Sequence, residues 1–161
     1  MSGHSILSLA VASGKVGFVY LEEDQLLDWG VSVKAAKSST EIAGFVQARI
    51  SALQPHIVVT ERCEQACRKG AKTRDLIRAM AETASHNAVL DVAVARPHRH
   101  AHKYDEALAL AKQFTELEGY LPSRKRRIFD HESRNMIMFE ALALALEVRD
   151  GGPTGLAAAM G

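Results

Sequence analysis

The stretch that most constrains the fold of this chain is Gln54–Cys63, which reads QPHIVVTERC. A short run of apolar, β-branched residues follows a proline, which cannot continue a helix, and leads directly into a carboxylate. This pattern predicts a buried strand over Ile57–Glu61 that ends in an exposed acid. Ligands and catalytic groups gather at the carboxyl ends of central strands in α/β sheets, so Glu61 is the first candidate for a functional residue.

Size and composition limit what the chain can be. Its 161 residues suit one domain with a single core, and we expect that domain over residues 1–150, with a flexible tail at 151–161. A formal net charge of +1 gives no global indication of a nucleic acid or a membrane as partner. The sequence has no apolar run of the roughly 20 residues that span a bilayer, and no basic signal-peptide region. Cys63 and Cys67 are the only cysteines, so we expect reduced thiols in a cytoplasmic protein.

The periodicity of apolar residues predicts three strands, a helix, a strand, a helix, a strand and further helices. Ser38 followed by Glu41 has the form of a capping box, which predicts a helix start. Short turns favour antiparallel pairing of the first three strands, whereas strands reached through helices return parallel. We therefore expect a mixed five-stranded sheet flanked by helices, which is the order of the ribonuclease H-like fold. The strands are predicted at Ser5–Ala12, Val16–Leu21, Leu26–Val33, Ile57–Glu61 and Val89–Ala95, and the last helix at Glu132–Val148.

Positive charge is concentrated in three separate segments, two of which begin just beyond adjacent predicted strand ends. If these segments converge beside Glu61, they would form a positive rim around an acidic centre, which suits a phosphate backbone. The alternative is solvated surface with three unrelated basic patches. The candidate nucleic-acid-binding residues are Arg62, Arg68, Lys69, Lys72, Arg96, Arg99, Lys103, Arg124, Lys125, Arg126 and Arg127.

Three histidines alternate within the second basic segment, at His98, His100 and His102. An extended backbone would put all three on one side, where they could bind a transition metal. Zinc sites usually need further ligands at fixed spacing, and basic residues lie between these histidines. A phosphate-facing loop is therefore the favoured interpretation.

Three short segments resemble the RuvC Holliday-junction resolvases. Residues 6–21, ILSLAVASGKVGFVYL, are similar to that family's first hairpin, and 57–62, IVVTER, to its strand ending in the second acid. Residues 140–143, Glu-Ala-Leu-Ala, resemble its Asp-Ala-Leu-Ala helix. The resemblance implies a ribonuclease H-like fold and an endonuclease for branched or duplex DNA that uses Mg²⁺ or Mn²⁺. Glu61 and Glu140 would then be metal ligands, with Asp130 and Glu132 as reserve catalytic acids.

The sequence also departs from the family pattern. Ala10 stands where the first Asp is expected, and residues 1–21 contain neither Asp nor Glu. Ile137 stands where a further Asp is expected, three residues before Glu140. The resemblance therefore implies a degenerate member that binds nucleic acid, that could form a homodimer, and whose own cleavage activity Ala10 calls into question. The alternative is a non-catalytic interaction or scaffold protein that keeps the fold.

Each candidate acid also has an ordinary structural explanation. Glu61 could be a strand-end acid that pairs with a neighbouring arginine at a solvated rim. Glu140 lies seven residues from both Ser133 and Glu147, so a solvated polar line along the last helix would explain it. Asp130 and Glu132 would interact favourably with the dipole at the start of that helix. A shared centre requires that the acids approach a common point.

Overall fold

The computed structural model describes residues 4–63, 69–96, 103–121 and 135–160, with side chains as far as residue 151. The strands are β1 (Ser5–Ala12), β2 (Lys15–Glu22), β3 (Gln25–Ser32), β4 (Ile57–Glu61) and β5 (Leu90–Val94). The α-helices are α1 (Ser39–Leu53), α2 (Ala71–Ser85), α3 (Lys103–Gln113) and α4 (Met136–Met160). Two 3-10 helices lie at Lys34–Lys37 and Thr115–Tyr120. The predicted strands β1 and β4 are confirmed to the residue.

The five strands form one mixed sheet in the order β3-β2-β1-β4-β5. The pairs β1–β2 and β2–β3 are antiparallel, whereas β1–β4 and β4–β5 are parallel. This arrangement confirms the predicted sheet. Since β1, β4 and β5 run in the same direction as neighbours, their carboxyl ends meet at one edge, which we call the carboxyl edge.

Each face of the sheet is covered by helices because successive apolar residues of the central strands point to opposite faces, so both faces are apolar. On β1, Ile6 and Ala10 pack in the core shared with α3 and α4, whereas Leu7 and Leu9 pack in the core shared with α1 and α2. Strand β4 follows the same rule, with Ile57 and Val59 on the α4 face. Side chains two residues apart share a face, so Glu61 also belongs to the α4 face.

The ends of α1 show why the sequence folds locally as predicted. Ser38 is the N-cap, and its side chain accepts a hydrogen bond from the Glu41 backbone N–H at 3.1 Å. At the other end Gln54 adopts the left-handed conformation, with φ of 49°, immediately before Pro55. The helix therefore ends where a proline prevents its continuation, and the chain turns into β4.

Helix α4 is held against β1 and β2 by two close contacts. Gly17 lies so near the helix that a Cβ atom built on it would be 2.8 Å from the backbone C of Ile137 and from the N of Met138. Ser8, which is fully buried on β1, donates a hydrogen bond from its hydroxyl to the Ala141 carbonyl oxygen at 2.6 Å. These contacts fix the position of Glu140 relative to the sheet.

Two features differ from the expectations. Helix α4 continues to Met160, past the predicted end at Val148. Gly151, Gly152 and Pro153 read as a helix stop, but the alanine-rich residues that follow are strong helix formers. Cys63 is disulfide-bonded, so the expectation of a reduced thiol there is wrong. The sequence has one other cysteine, Cys67, which lies outside the described residues.

Within the part of the chain that the structure describes, no helix combines the length and the apolar character needed to cross a membrane.

Candidate functional site

Two buried carboxylates lie at the carboxyl edge of the sheet. Glu61 ends β4 and is 6% exposed, and Glu140 on α4 is 5% exposed. The explanations of these acids by a solvated rim and a solvated helix face are therefore wrong. Glu140 is buried because Met136–Leu146 is buried on every side, so this part of α4 has no solvated face. Glu61 is buried because its side chain lies on the face of the sheet that α4 covers.

Lys69 joins the two acids. Its Nζ lies 2.8 Å from Glu140 Oε1 and 3.3 Å from Glu61 Oε1. The two carboxylate oxygens are therefore at most 6.1 Å apart, the sum of those distances. The same Nζ donates a hydrogen bond to the Val11 carbonyl oxygen at 2.6 Å. The acids do approach a common point, and an ammonium group lies at that point.

A second cation approaches Glu140 from the adjacent strand. Arg96 follows β5, and its Nη1 lies 3.7 Å from Glu140 Oε1. The other terminal nitrogen, Nη2, lies 3.7 Å from Oε1 of Glu106 in the first turn of α3. Glu140 is thus paired with two cations, and the cluster extends from β4 to α3 through Arg96.

The surroundings shift the pKa values of the two acids in opposite directions. Burial raises the pKa of Glu61 above its ordinary value, Lys69 opposes this effect, and the Glu140 carboxylate reinforces it. Burial would also raise the pKa of Glu140, but Lys69 and Arg96 outweigh burial and hold that pKa below its ordinary value. As the pH falls, Glu61 is therefore the acid that takes up a proton first.

The predicted nucleic-acid-binding residues divide into three groups. Lys69 and Arg96 pair with acids, and Arg62 Nη2 donates a hydrogen bond to the Ala93 carbonyl oxygen at 3.2 Å, so these three make contacts within the protein. Lys72 and Lys103 are exposed, in the first turns of α2 and α3. Outside the described residues lie Arg68, Arg99, Arg124, Lys125, Arg126, Arg127, the acids Asp130 and Glu132, and the histidines His98, His100 and His102.

The geometry does not fit the divalent-metal centre that the family resemblance implies. The last residue pair of the β1–β4 register is Ser8 with Val59, and continuing the register by two residues would bring Ala10 level with Glu61. Ala10 is fully buried and supplies a methyl group at this place, where a carboxylate would be needed. The oxygens of Glu61 and Glu140 bind the ammonium of Lys69 instead. Among the described residues, no three His, Cys, Asp or Glu side chains are grouped to hold a metal ion.

Sequence reasoning finds both acids but misses the cluster that they form. The sequence pattern assigns Lys69 and Arg96 to phosphate, and it does not point to Glu106. The available signal is the burial of Glu61 itself, because a buried carboxylate needs a cation or several hydrogen-bond donors. Lys69, which immediately precedes the N-cap Gly70 of α2, is well placed to provide that cation.

Solved structures of similar fold cover nearly the whole chain. The structure of Thermus thermophilus RuvC matches with a TM-score of 0.62 and 18% identity over 94% of this chain and 97% of the other. The fowlpox virus resolvase in complex with substrate Holliday junction DNA matches with a TM-score of 0.59 and 9% identity, over 91% and 97%. T. thermophilus RuvC in complex with a Holliday junction substrate matches with a TM-score of 0.53 and 18% identity, over 89% and 90%.

No family model matches the chain, and no curated protein matches it in sequence. The identities to the solved structures are low, so what they show is the fold. The chain has the mixed-sheet, ribonuclease H-like fold of RuvC and of the poxvirus resolvase, as the sequence predicts.

Proposed function

We propose that this protein binds branched or structured DNA across the carboxyl edge of its sheet, and that it does not cut the DNA by a metal-assisted route. The observation that carries the first half is the likeness in fold to two resolvase structures that contain Holliday junction DNA, over 91% and 89% of this chain. The second half rests on Ala10 and on Lys69, which binds the carboxylates that the resemblance identifies as metal ligands.

Exposed positive charge at the start of α2 supports the DNA-binding surface. The first turn of this 15-residue helix contains Lys72 and no acidic residue, and its N-cap Gly70 makes no side-chain cap. A helix start that contains a lysine suits a phosphate group. Lys103 lies at the start of α3, the helix that follows β5. The two lysines would contact phosphates on either side of the buried acids.

Salt-dependent binding tests the proposal. Fluorescence anisotropy with a four-way junction, a duplex and a single strand of DNA would give the affinity at several salt concentrations. We expect junction binding that weakens steeply with salt because phosphate contacts release counterions. The double variant with Lys72→Ala and Lys103→Ala should bind every substrate more weakly. Its slope of log K against log salt should be smaller by about one for each phosphate that the variant can no longer neutralise.

The matched control is Lys112→Ala. Lys112 is exposed in the last turn of α3, about 13 Å along the helix axis from Lys103 at 1.5 Å per residue, and its replacement should leave the affinity and the salt slope unchanged. If the wild type binds none of the substrates at moderate salt, the DNA-binding proposal is refuted. The result would then favour the alternative, an interaction or scaffold protein that keeps the fold.

Cleavage is tested separately with the same junction in the presence of Mg²⁺ or Mn²⁺. We expect no product from the wild type. Product formation that disappears in Glu61→Gln would overturn the non-cleaving half of the proposal and would establish Glu61 as a catalytic residue.

A homodimer is also part of the proposal, because a four-way junction can present two equivalent halves to a two-fold symmetric protein. Light scattering coupled to gel filtration, with and without junction DNA, would measure the number of chains. A single chain in both conditions would refute it.

A further inference from the structure

The ammonium group of Lys69 is surrounded by oxygen atoms from three different elements. The Val11 carbonyl comes from β1, the Glu61 carboxylate from β4 and the Glu140 carboxylate from α4, at 2.6, 3.3 and 2.8 Å from Nζ. The Val11 carbonyl and the Glu140 carboxylate accept hydrogen bonds from the ammonium, and the Glu61 carboxylate forms an ion pair with it. A cation is therefore bound at the point where these three elements meet, and this cation is part of the chain.

The backbone around Lys69 holds its side chain in this place. Lys69 immediately precedes the N-cap of α2, and its carbonyl oxygen accepts a hydrogen bond from Arg74 Nε at 3.0 Å. Helix α2 packs on the face of the sheet opposite α4. The Lys69 side chain thus passes around the carboxyl edge from the α2 layer to the α4 layer. Only 18% of it is exposed.

The ammonium of Lys69 and a divalent ion would compete for the same oxygen atoms. Among the described residues, the cluster contains the acids Glu61, Glu140 and Glu106 and the cations Lys69 and Arg96. A divalent ion between Glu61 and Glu140 would have to displace the ammonium from the oxygens that it contacts. Lys69 and a metal ion are therefore mutually exclusive.

We propose that Lys69 is a built-in counter-ion that takes the place of a divalent cation between Glu61 and Glu140, and that removing its charge converts the three oxygens into a divalent-cation site. Lys69 makes the assembly of β1, β4 and α4 independent of metal. This inference is independent of DNA binding, and its test contains no DNA, so failure of one proposal is distinguishable from failure of the other.

The test compares the wild type with Lys69→Met, which keeps most of the side-chain volume and removes the charge. Thermal unfolding is measured with and without millimolar Mn²⁺, against NaCl of matched ionic strength, and isothermal titration calorimetry gives the stoichiometry. The wild-type Tm should not respond to Mn²⁺. Lys69→Met should have a lower Tm, which Mn²⁺ raises by about 5–10 °C at a hundred times its dissociation constant, with one ion per chain.

Three further variants identify the cause of such a response. Adding Glu140→Gln to Lys69→Met should abolish it, because the site loses a carboxylate. Lys69→Arg retains the charge and should not respond to Mn²⁺. The matched control is Lys112→Met, which makes the same charge change at an exposed position in α3 and should alter neither the Tm nor the Mn²⁺ response.

The proposal is overturned if the wild type binds one Mn²⁺ per chain with a rise in Tm like that of Lys69→Met. A folded Lys69→Met that ignores Mn²⁺ would overturn it as well. If Lys69→Met folds only when Mn²⁺ is present, the proposal is supported. If it folds in neither condition, the wild-type titration decides: no bound ion supports the proposal, and one bound ion refutes it.

Discussion

Replacing Glu140 by Gln removes a buried negative charge while leaving the size of the side chain nearly unchanged. The amide oxygen can still accept a hydrogen bond from Lys69, so the substitution removes only the attraction between the carboxylate and its two cations. Lys69 keeps Glu61 and the Val11 carbonyl as partners, and Arg96 keeps Glu106. The substitution therefore isolates the contribution of one charge to the cluster.

The structure sets the magnitude. At an effective dielectric constant of 20, Coulomb's law gives about 6 kcal/mol for the Lys69 contact at 2.8 Å and about 4.5 kcal/mol for the Arg96 contact at 3.7 Å. The cost of desolvating the carboxylate, several kcal/mol, offsets a large part of this attraction. Breaking a buried ion pair typically costs 3–5 kcal/mol, and partial exposure and the remaining partners of both cations place this case near the lower limit. We expect a loss of about 3 kcal/mol at neutral pH, or roughly 6–12 °C in Tm.

The pH dependence of this loss distinguishes a charge effect from a packing effect. The pKa of Glu140 in the folded protein lies below its ordinary value of 4.5, so its stabilising contribution is present above that value and is lost as the pH falls through the folded pKa. Urea unfolding of both proteins between neutral and acidic pH would measure the free energy of unfolding. The difference between wild type and Glu140→Gln should be constant near neutrality and should shrink in acid.

The matched control is Glu147→Gln, which makes the same change on the same helix at a half-buried position seven residues later. We expect it to cost less than about 1 kcal/mol, because a half-buried charge is better solvated than the buried charge of Glu140. If Glu140→Gln is as stable as the wild type at neutral pH, the charge does not hold the cluster together. A loss that stays constant down to acidic pH would mean that side-chain packing, and not ionisation, causes it.

Three other perturbations each test a single observation. Gly17→Ala should lower the free energy of unfolding in urea by about 2–3 kcal/mol, because its Cβ would meet the backbone of α4. The control is Gly44→Ala in α1, which has no atom within 4 Å of the added Cβ and should be neutral or stabilising. Equal effects of the two substitutions would contradict the close approach of Gly17 to α4. The pKa of Glu61 is raised, so the wild type should lose stability relative to Glu61→Gln as the pH rises through the folded pKa, and a pH-independent difference would show that the pKa is not raised. Since Cys63 is disulfide-bonded, alkylation without reductant should leave Cys63 unmodified in mass spectrometry, and modification of Cys63 before reduction would contradict the bond.

The fold was predictable because local signals and sheet rules agree. Pro55 and the β-branched run after it set the bounds of β4, and the capping box at Ser38 set the start of α1. Loop lengths then determined which strand pairs are antiparallel. The end of α4 was not predictable from the same signals because Gly151–Pro153 reads as a stop in any local interpretation, although the helix continues to Met160. Propensity is a weak constraint where the rest of a helix is already held by packing.

The site was predictable only in its acids. Glu61 follows from its place at the end of a central strand, but the burial of Glu140 does not follow from its sequence spacing, because the spacing argument assumes that α4 has a solvated face. The direction of the Lys69 side chain is equally hidden, since its hydrogen-bond partner Glu140 lies 71 residues away in the sequence. A long cationic side chain near a strand end suits a phosphate outside the protein and a carboxylate inside it equally well.

The charges of the cluster connect the two departures from the resolvase pattern. Among the described residues of the cluster, Glu140 and Glu106 balance Lys69 and Arg96 in charge, and burial raises the pKa of the remaining acid, Glu61. A carboxylate at the place of Ala10 would add a negative charge that this balance does not offset, and burying it without a partner would be costly. Ala10 on β1 and Lys69 before α2 are therefore compatible, because a site with fewer acids needs less positive charge to balance it. A protein of this fold that has an acid at the position of Ala10 would be expected to lack a lysine at the position of Lys69, because the ammonium would occupy the oxygens that a metal needs.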